Sequence, residues 1–236
     1  MAPLPRRERR KDTKMGFGLT FIGYFFLIFF PLSRIDVLPN LAVSGCVIML
    51  FGLKRLTHYC SENRAFFTAR LFGIILTVVS IAALMLDVAA IDNLIEEALF
   101  PVLAPVANTI HALVITAFTG ALFIGVYKLS GEVDLPKLAK RSVFMLSANA
   151  AYLVAELAAS VCSLIRTLGA PSGEVLTTLT GYLGIIAFIF AYIILFLNLS
   201  LIFSCYARIC LEGDEDMPYE TDMLDKIVAW TKRNKK

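Results

Sequence analysis

Six long runs of apolar residues, separated by short polar stretches, account for most of the chain. They cover residues 15–33, 40–57, 66–89, 102–128, 142–167 and 175–207. Each run reaches the length of roughly 17 residues at which an α-helix can cross a bilayer. None alternates apolar and polar positions as a barrel strand would. The pattern therefore predicts an all-α fold, an integral membrane bundle of about six transmembrane helices.

Small residues indicate how neighbouring helices of this bundle meet. Because small residues let helices approach closely in lipid, Gly18 and Gly23 predict the contact face of the first helix. Gly45 and Gly52 are seven residues apart in the sequence and therefore share one face of the second helix. Between the fourth and fifth runs, the polar residues 130–141 predict a connector with a glycine and a proline in it.

The bundle is predicted to comprise residues 15–210, with a tail on either side of it. Residues 1–14 form a basic N-terminal tail, and residues 211–236 form an acidic and then basic tail with a short amphipathic helix. The acidic run 212–216 is interpreted as solvated chain, because it lacks the spaced ligands of a calcium loop. Residues 90–100 carry apolar and acidic side chains on opposite faces, which predicts either a surface helix or a continuation of the third span.

The composition excludes an ordinary soluble domain. Hydrophobic residues make up 58% of the chain and the mean hydropathy is +0.75, so the lipid bilayer is its first partner. The net charge of +3 gives no reason to expect a nucleic-acid partner. The five cysteines show neither a CxxC pair nor a Cys/His ligand spacing. We therefore expect no metal and no cofactor.

The basic residues lie almost entirely on one side of the predicted spans. Of the 22 Lys and Arg residues, all but Arg34 and Arg166 fall in alternate segments that share one compartment. Positive charge marks the cytoplasmic side, so this division predicts six crossings with both termini cytoplasmic. Residues 6–11 resemble the start of a signal peptide, and the sequence around Cys46 resembles a lipoprotein cleavage site. Cys46 lies inside the second apolar run, however, so a retained first span is favoured.

Glu156 is the most costly residue in the predicted bundle. It lies about midway along the fifth run, where a carboxylate is expensive and usually faces a partner or a water-filled cavity. It also belongs to a polar stripe with three- and four-residue spacing, which predicts an inward face. The stripe consists of Asn149, Tyr152, Glu156, Ser160 and Ser163.

Counting depth along each run suggests which other polar residues could meet this stripe. At about 1.5 Å per residue, the residues nearest the level of Glu156 are Thr77, Ser80, Thr116 and Tyr192. His111 lies about two turns further out, with Asn108 beyond it. Asn149 and Asn198 both fall in the cytoplasmic half and are predicted to pair there. Arg34, Asp36, Asp87 and Arg166 form a predicted charge cluster at the outer surface, with Arg166 pairing either Asp36 or Asp87.

Two functional interpretations remain open for these residues. In the first, a cavity centred on Glu156 binds or translocates a small molecule or an ion, with binding or proton-relay roles for Glu156, Tyr152, Ser160, His111, Asn108 and Asn149. In the second, Glu156 belongs to a polar packing seam. The protein would then be a non-catalytic scaffold or sensory subunit that recruits membrane or cytoplasmic partners through its tails. The chain carries no HExxH, GxSxG or Walker motif, so an enzyme is disfavoured and no catalytic residue is assigned.

The first hairpin carries a resemblance to known proteins. The segment Ile35-Asp36-Val37-Leu38-Pro39-Asn40, followed by a glycine-bearing second span, resembles a group of small, uncharacterised bacterial multi-spanning membrane proteins with an I-D-x-L-P-[DN] hairpin. The resemblance covers residues 16–70. It implies the bacterial plasma membrane and this hairpin, and it implies no activity.

Overall fold

The computed structural model describes residues 6–27, 39–91, 100–167 and 174–211, and these residues form α-helices joined by short turns. Each helix matches one of the predicted apolar runs, although most helices begin earlier or end later than the run. The described helices are α1 (Arg6–Leu27), α2 (Pro39–Tyr59), α3 (Arg64–Ile91), α4 (Phe100–Glu132), α5 (Pro136–Thr167) and α6 (Glu174–Leu211).

Four of these helices are long and apolar enough to cross a membrane, and they confirm that part of the prediction. They are the segments Arg64–Leu86, Pro105–Glu132, Pro136–Arg166 and Thr178–Arg208. The described apolar part of α1, Gly16–Leu27, is shorter than a full span. The basic residues from Arg6 onward belong to α1 itself, so helical structure begins within the segment that the sequence assigns to a tail.

The helices form a ring in chain order. Each helix packs against the next one along the chain, and α6 closes the ring by packing against α1. Aromatic side chains fill its centre: the ring of Tyr24 stacks on that of Phe118 with centroids 6.5 Å apart, and Phe17 meets Phe66 edge-on. We call the end of the bundle with the α2–α3 and α4–α5 turns the basic end, because most lysines and arginines lie there.

Glycines bring α1 and α2 into backbone contact. A Cβ added at Gly23 would lie 2.5 Å from the carbonyl oxygen of Gly45, and one added at Gly52 would lie 2.7 Å from that of Gly16. The prediction is confirmed for Gly23, Gly45 and Gly52. Gly18 lies on a different contact face, where an added Cβ would make an ordinary contact at 3.5 Å with Tyr206 of α6. Gly16 shares the α2-facing side of α1 with Gly23, because the two are seven residues, almost two turns, apart.

The turns at the basic end are tighter than the sequence suggests. The predicted connector 130–141 shrinks to the three residues between Glu132 and Pro136, because Asp134 adopts a left-handed conformation (φ 55°) that reverses the chain. In the α2–α3 turn, the Asn63 side chain accepts a hydrogen bond from the Ala65 amide and donates one to the Gly125 carbonyl of α4. Asn63 therefore caps α3 and fixes it to α4 at once.

Side chains are buried much more completely at the basic end than at the opposite end. Towards the opposite end, the described side chains are half-buried or exposed after Ser80 on α3, before Ala112 on α4 and before Ala187 on α6. On α5, Ser160 is the one buried side chain described beyond Asn149. Beyond the middle of α5, the ends of α3 to α6 that lie away from the basic end therefore share little buried core.

Several predictions concern residues outside the described ranges. These are the hairpin segment 34–38, the main part of the surface helix at 90–100 and the C-terminal tail after Leu211. They stay predictions.

Candidate functional site

Four helices meet at a buried hydrogen-bond network in the middle of the bundle. The amides of Asn149 and Asn198 pair reciprocally, with Nδ2–Oδ1 distances of 2.9 and 3.0 Å. The Asn198 Nδ2 also donates to the Tyr24 hydroxyl at 2.8 Å, and the Thr119 hydroxyl donates to Asn149 Oδ1 at 3.2 Å. We call these four residues of α1, α4, α5 and α6 the amide network.

The amide network confirms the predicted pairing of Asn149 with Asn198. Asn149 also donates to the Met145 carbonyl, so two donors and two acceptor positions of its side chain are all occupied by protein. The two asparagines are 3% and 1% exposed. Asn149 therefore serves as an interhelical anchor, with no capacity left for a ligand. Tyr24 was not predicted because only the packing of α1 against α6 brings it to Asn198. Thr119 was not predicted because the register of α4 against α5 does not follow from the ends of the apolar runs.

The two asparagines should be energetically coupled. We expect Asn149→Ala and Asn198→Ala each to lower the thermal stability of the purified protein, because each leaves a buried amide group without its partner. In the double variant, the loss of unfolding free energy should be about 1 kcal/mol smaller than the sum of the two single losses. A double-mutant cycle from denaturant unfolding in detergent measures this coupling. Strict additivity would show that the pair contributes nothing beyond two independent side chains.

Glu156 lies on the same face of α5 as the amide network but takes no part in it. The stripe is inward, as predicted: Asn149 and Ser160 are buried and Glu156 is half-buried, whereas Val154 on the opposite face is 67% exposed. Within the described ranges, no hydrogen bond or ion pair holds the Glu156 carboxylate. The Tyr152 side chain, one helical turn away on the same helix, interacts with it electrostatically.

The network also sets the level of Glu156 relative to the other helices. Glu156 lies seven residues, about 10 Å, beyond Asn149 on α5. Because α4 and α6 run antiparallel to α5, seven residues are counted backwards from the network on each of them. The count from Thr119 on α4 ends at Ala112, next to His111, and the count from Asn198 on α6 ends at Ala191. Depth counted from the ends of the apolar runs places Thr116 at this level. The hydrogen bond between α4 and α5 shifts the register by about one turn and places His111 there.

His111 faces the middle of the ring at this level. It is seven residues from Phe118 and so shares its face, and the Phe118 ring stacks on that of Tyr24 in the centre of the bundle. A carboxylate on α5 and an imidazole on α4 therefore lie at one level and on inward faces, beyond the filled amide network. Both side chains are half-buried. Each of these two groups can by itself bind a cation or exchange a proton.

Two hydroxyl oxygens of α4 and α6 near the site have no hydrogen-bond partner in the described part of the chain. Ala191, at the level of Glu156 on α6, presents only a methyl group. The hydroxyl oxygens of Thr116 and Tyr192 are buried without a hydrogen-bond partner among the described residues. Buried polar atoms normally find a partner in protein or water, so these two hydroxyl groups are available to hydrogen-bond a water molecule or ligand that reaches them.

The remaining predicted site residues are distributed along the same helices. Tyr152 is half-buried and its ring meets that of Phe190 edge-on at 6.4 Å, and Ser160 is buried. Asn108 is exposed on α4, so it lies on the periphery of the site. In the charge cluster, Arg166 is exposed, the Asp87 side chain is not described and residues 34 and 36 lie outside the described ranges.

The ring of helices, its four long apolar members and its buried polar network define a helical membrane protein. Comparison with models of protein families, with curated proteins and with solved structures found no match for the chain. In the described part of the chain, no group of three or more His, Cys, Asp and Glu side chains is placed to hold a metal ion.

Proposed function

We propose that this membrane protein binds a small molecule or ion, or carries it across the bilayer, at a site centred on Glu156. The observation that supports this most strongly is the contrast along one face of α5. Asn149 is completely hydrogen-bonded, whereas Glu156, two turns further on, is held by no described partner. A carboxylate without a partner at this depth is costly, and a ligand or proton that neutralises it offsets that cost.

The surroundings of Glu156 favour a cationic or proton-linked cargo. The His111 imidazole lies at the same level. In the described parts of α4, α5 and α6, no Lys or Arg lies at that level. On α6, the residue at this level is Ala191, which presents only a methyl group to the site. A site of this kind needs no metal or cofactor, because the carboxylate and the imidazole can exchange the cation or proton themselves.

The proposal includes an orientation. With six crossings and the basic end in the cytoplasm, as the distribution of Lys and Arg favours, the loosely packed end of α3 to α6 faces outward. The Glu156 site would then open to the outside, and the amide network would close it on the cytoplasmic side. The resemblance of the first hairpin suggests the plasma membrane of a bacterium as the location.

Glu156→Gln tests the proposal because it keeps the size of the side chain and removes its charge. Ion flux into liposomes that contain the purified protein is the readout, and Glu62→Gln is the matched control because Glu62 is exposed in the α2–α3 turn. If flux survives Glu156→Gln at an unchanged yield of folded protein, the alternative of a scaffold or sensory subunit is favoured.

A further inference from the structure

A groove between α5 and α6 at the basic end carries an arginine with spare hydrogen-bond donors. Arg141 on α5 reaches across to α6, where its guanidinium donates to the hydroxyls of Ser204 at 3.1 Å and Ser200 at 2.9 Å. A guanidinium has five N–H donors, so these two hydrogen bonds leave three. The serines are neutral, which means that they orient the guanidinium without balancing its charge.

Two further cations line the same groove. Lys137 lies four residues before Arg141 on α5, and Arg208 lies four residues after Ser204 on α6. Each therefore lies on the same face of its helix, one turn nearer the basic end. Because α5 and α6 are antiparallel, Lys137 and Arg208 lie at the same level, one turn from Arg141. Both side chains are exposed.

The groove contains no balancing negative charge among the residues that the structure describes. The sequences of α5 and α6 contain two carboxylates, Glu156 and Glu174, and Glu156 lies about 22 Å along α5 from Arg141 at 1.5 Å per residue. Glu132 and Asp134 in the turn before α5 are exposed, and in the described part of the chain neither forms an ion pair with Arg141. An anion that binds here would therefore make charge-assisted hydrogen bonds to the guanidinium without having to displace a carboxylate.

We propose that this groove binds the phosphate group of an anionic phospholipid. Arginine matches phosphate oxygens with parallel N–H donors, and basic pockets between transmembrane helices on the cytoplasmic side suit lipid headgroups. The Ser200 hydroxyl is exposed and accepts from Arg141, so its own proton is available to a phosphate oxygen. Apolar side chains continue the groove beyond the serines, with Phe196 56% exposed and Phe144 61% exposed, and these suit the acyl chains of the same lipid.

Native mass spectrometry of the full chain in detergent tests the lipid site. Phosphatidylglycerol is titrated against wild type, Arg141→Gln, the double change of Ser200 and Ser204 to alanine, and Lys54→Gln as a control cation exposed on α2. We expect Arg141→Gln to weaken binding about fivefold. The serine variant should weaken it less, because the guanidinium loses its orientation but keeps its charge, and Lys54→Gln should leave it unchanged.

Two comparisons identify the ligand and keep the test decisive. Phosphatidylcholine should bind more weakly and lose less on Arg141→Gln, because its positive choline group is repelled by the neighbouring cations, and inorganic phosphate alone should fail to displace phosphatidylglycerol. Equal phosphatidylglycerol binding by wild type and by both groove variants overturns the proposal. Binding of inorganic phosphate with the same dependence on Arg141, in the absence of phosphatidylglycerol binding, also overturns it in favour of a soluble anion. The serine variant covers the case in which Arg141→Gln does not fold.

Discussion

Replacing Gly23 by alanine should separate α1 from α2 and strongly destabilise the bundle. A Cβ at this position would lie 2.5 Å from both the Gly45 carbonyl oxygen and the Met49 backbone nitrogen. Backbone atoms of a helix cannot move aside as a flexible side chain can, so the two helices must part. Overpacking of a well-packed core typically costs about 1–3 kcal/mol, and we expect the upper end of that range here.

Gly18→Ala is the matched control on the same helix. An alanine Cβ there would meet the Tyr206 ring at 3.5 Å, which is an ordinary contact, and alanine favours the helix more than glycine does. We expect Gly18→Ala to keep or slightly raise the thermal midpoint measured by circular dichroism in detergent, and Gly23→Ala to lower it sharply together with the monodisperse yield. Equal midpoints for the two variants would contradict the close α1–α2 contact.

Glu156→Gln should reduce ion flux to the level of empty liposomes. The assay imposes a potassium diffusion potential on proteoliposomes and follows proton uptake with a pH-sensitive dye trapped inside. Glutamine has nearly the shape of glutamate but can neither carry a negative charge nor exchange a proton at neutral pH. The Glu156 carboxylate has no described hydrogen bond to lose, so the variant should fold with the same yield as wild type.

The outcome of this experiment separates the two interpretations of Glu156. Glu156→Ala should abolish flux as well, and Glu62→Gln should leave it unchanged. A packing seam predicts a different result, in which Glu156→Gln and Glu156→Ala both lower the folded yield and change flux only in proportion to it. Wild-type flux in a well-folded Glu156→Gln protein would remove Glu156 from the centre of the site.

Helix positions and some helix contacts could be predicted from the sequence, because membrane spans and small-residue faces leave local patterns. The pairing of Asn149 with Asn198 followed from depth, since two amides at one level in lipid have few other partners. The register of α4 against α5 could not be predicted, because the ends of an apolar run are not the ends of its helix. That register decides whether Thr116 or His111 accompanies Glu156.

Side-chain contacts between particular faces of two helices could not be predicted from the sequence either. Tyr24 joins the amide network only because α1 packs against α6. In the sequence, Arg141 is one of several basic residues beside an apolar run, and nothing there indicates its hydrogen bonds to Ser200 and Ser204. Asn63 likewise resembles any polar turn residue, although its amide bonds the Gly125 carbonyl. Each of these contacts joins helices whose rotation about their axes the sequence does not determine.

The most direct test of the central claim is whether water reaches position 156 from outside the cell. In a protein whose five cysteines are replaced by alanine, Glu156→Cys is treated in intact cells with a membrane-impermeant thiol reagent, which reacts with the thiolate and so requires water. Arg166→Cys, exposed at the end of α5, and lipid-facing Val154→Cys are the positive and negative controls. We predict that the cysteine at position 156 reacts as the one at 166 does. A cysteine at 156 as unreactive as the one at 154 would contradict a ligand site open to the outside.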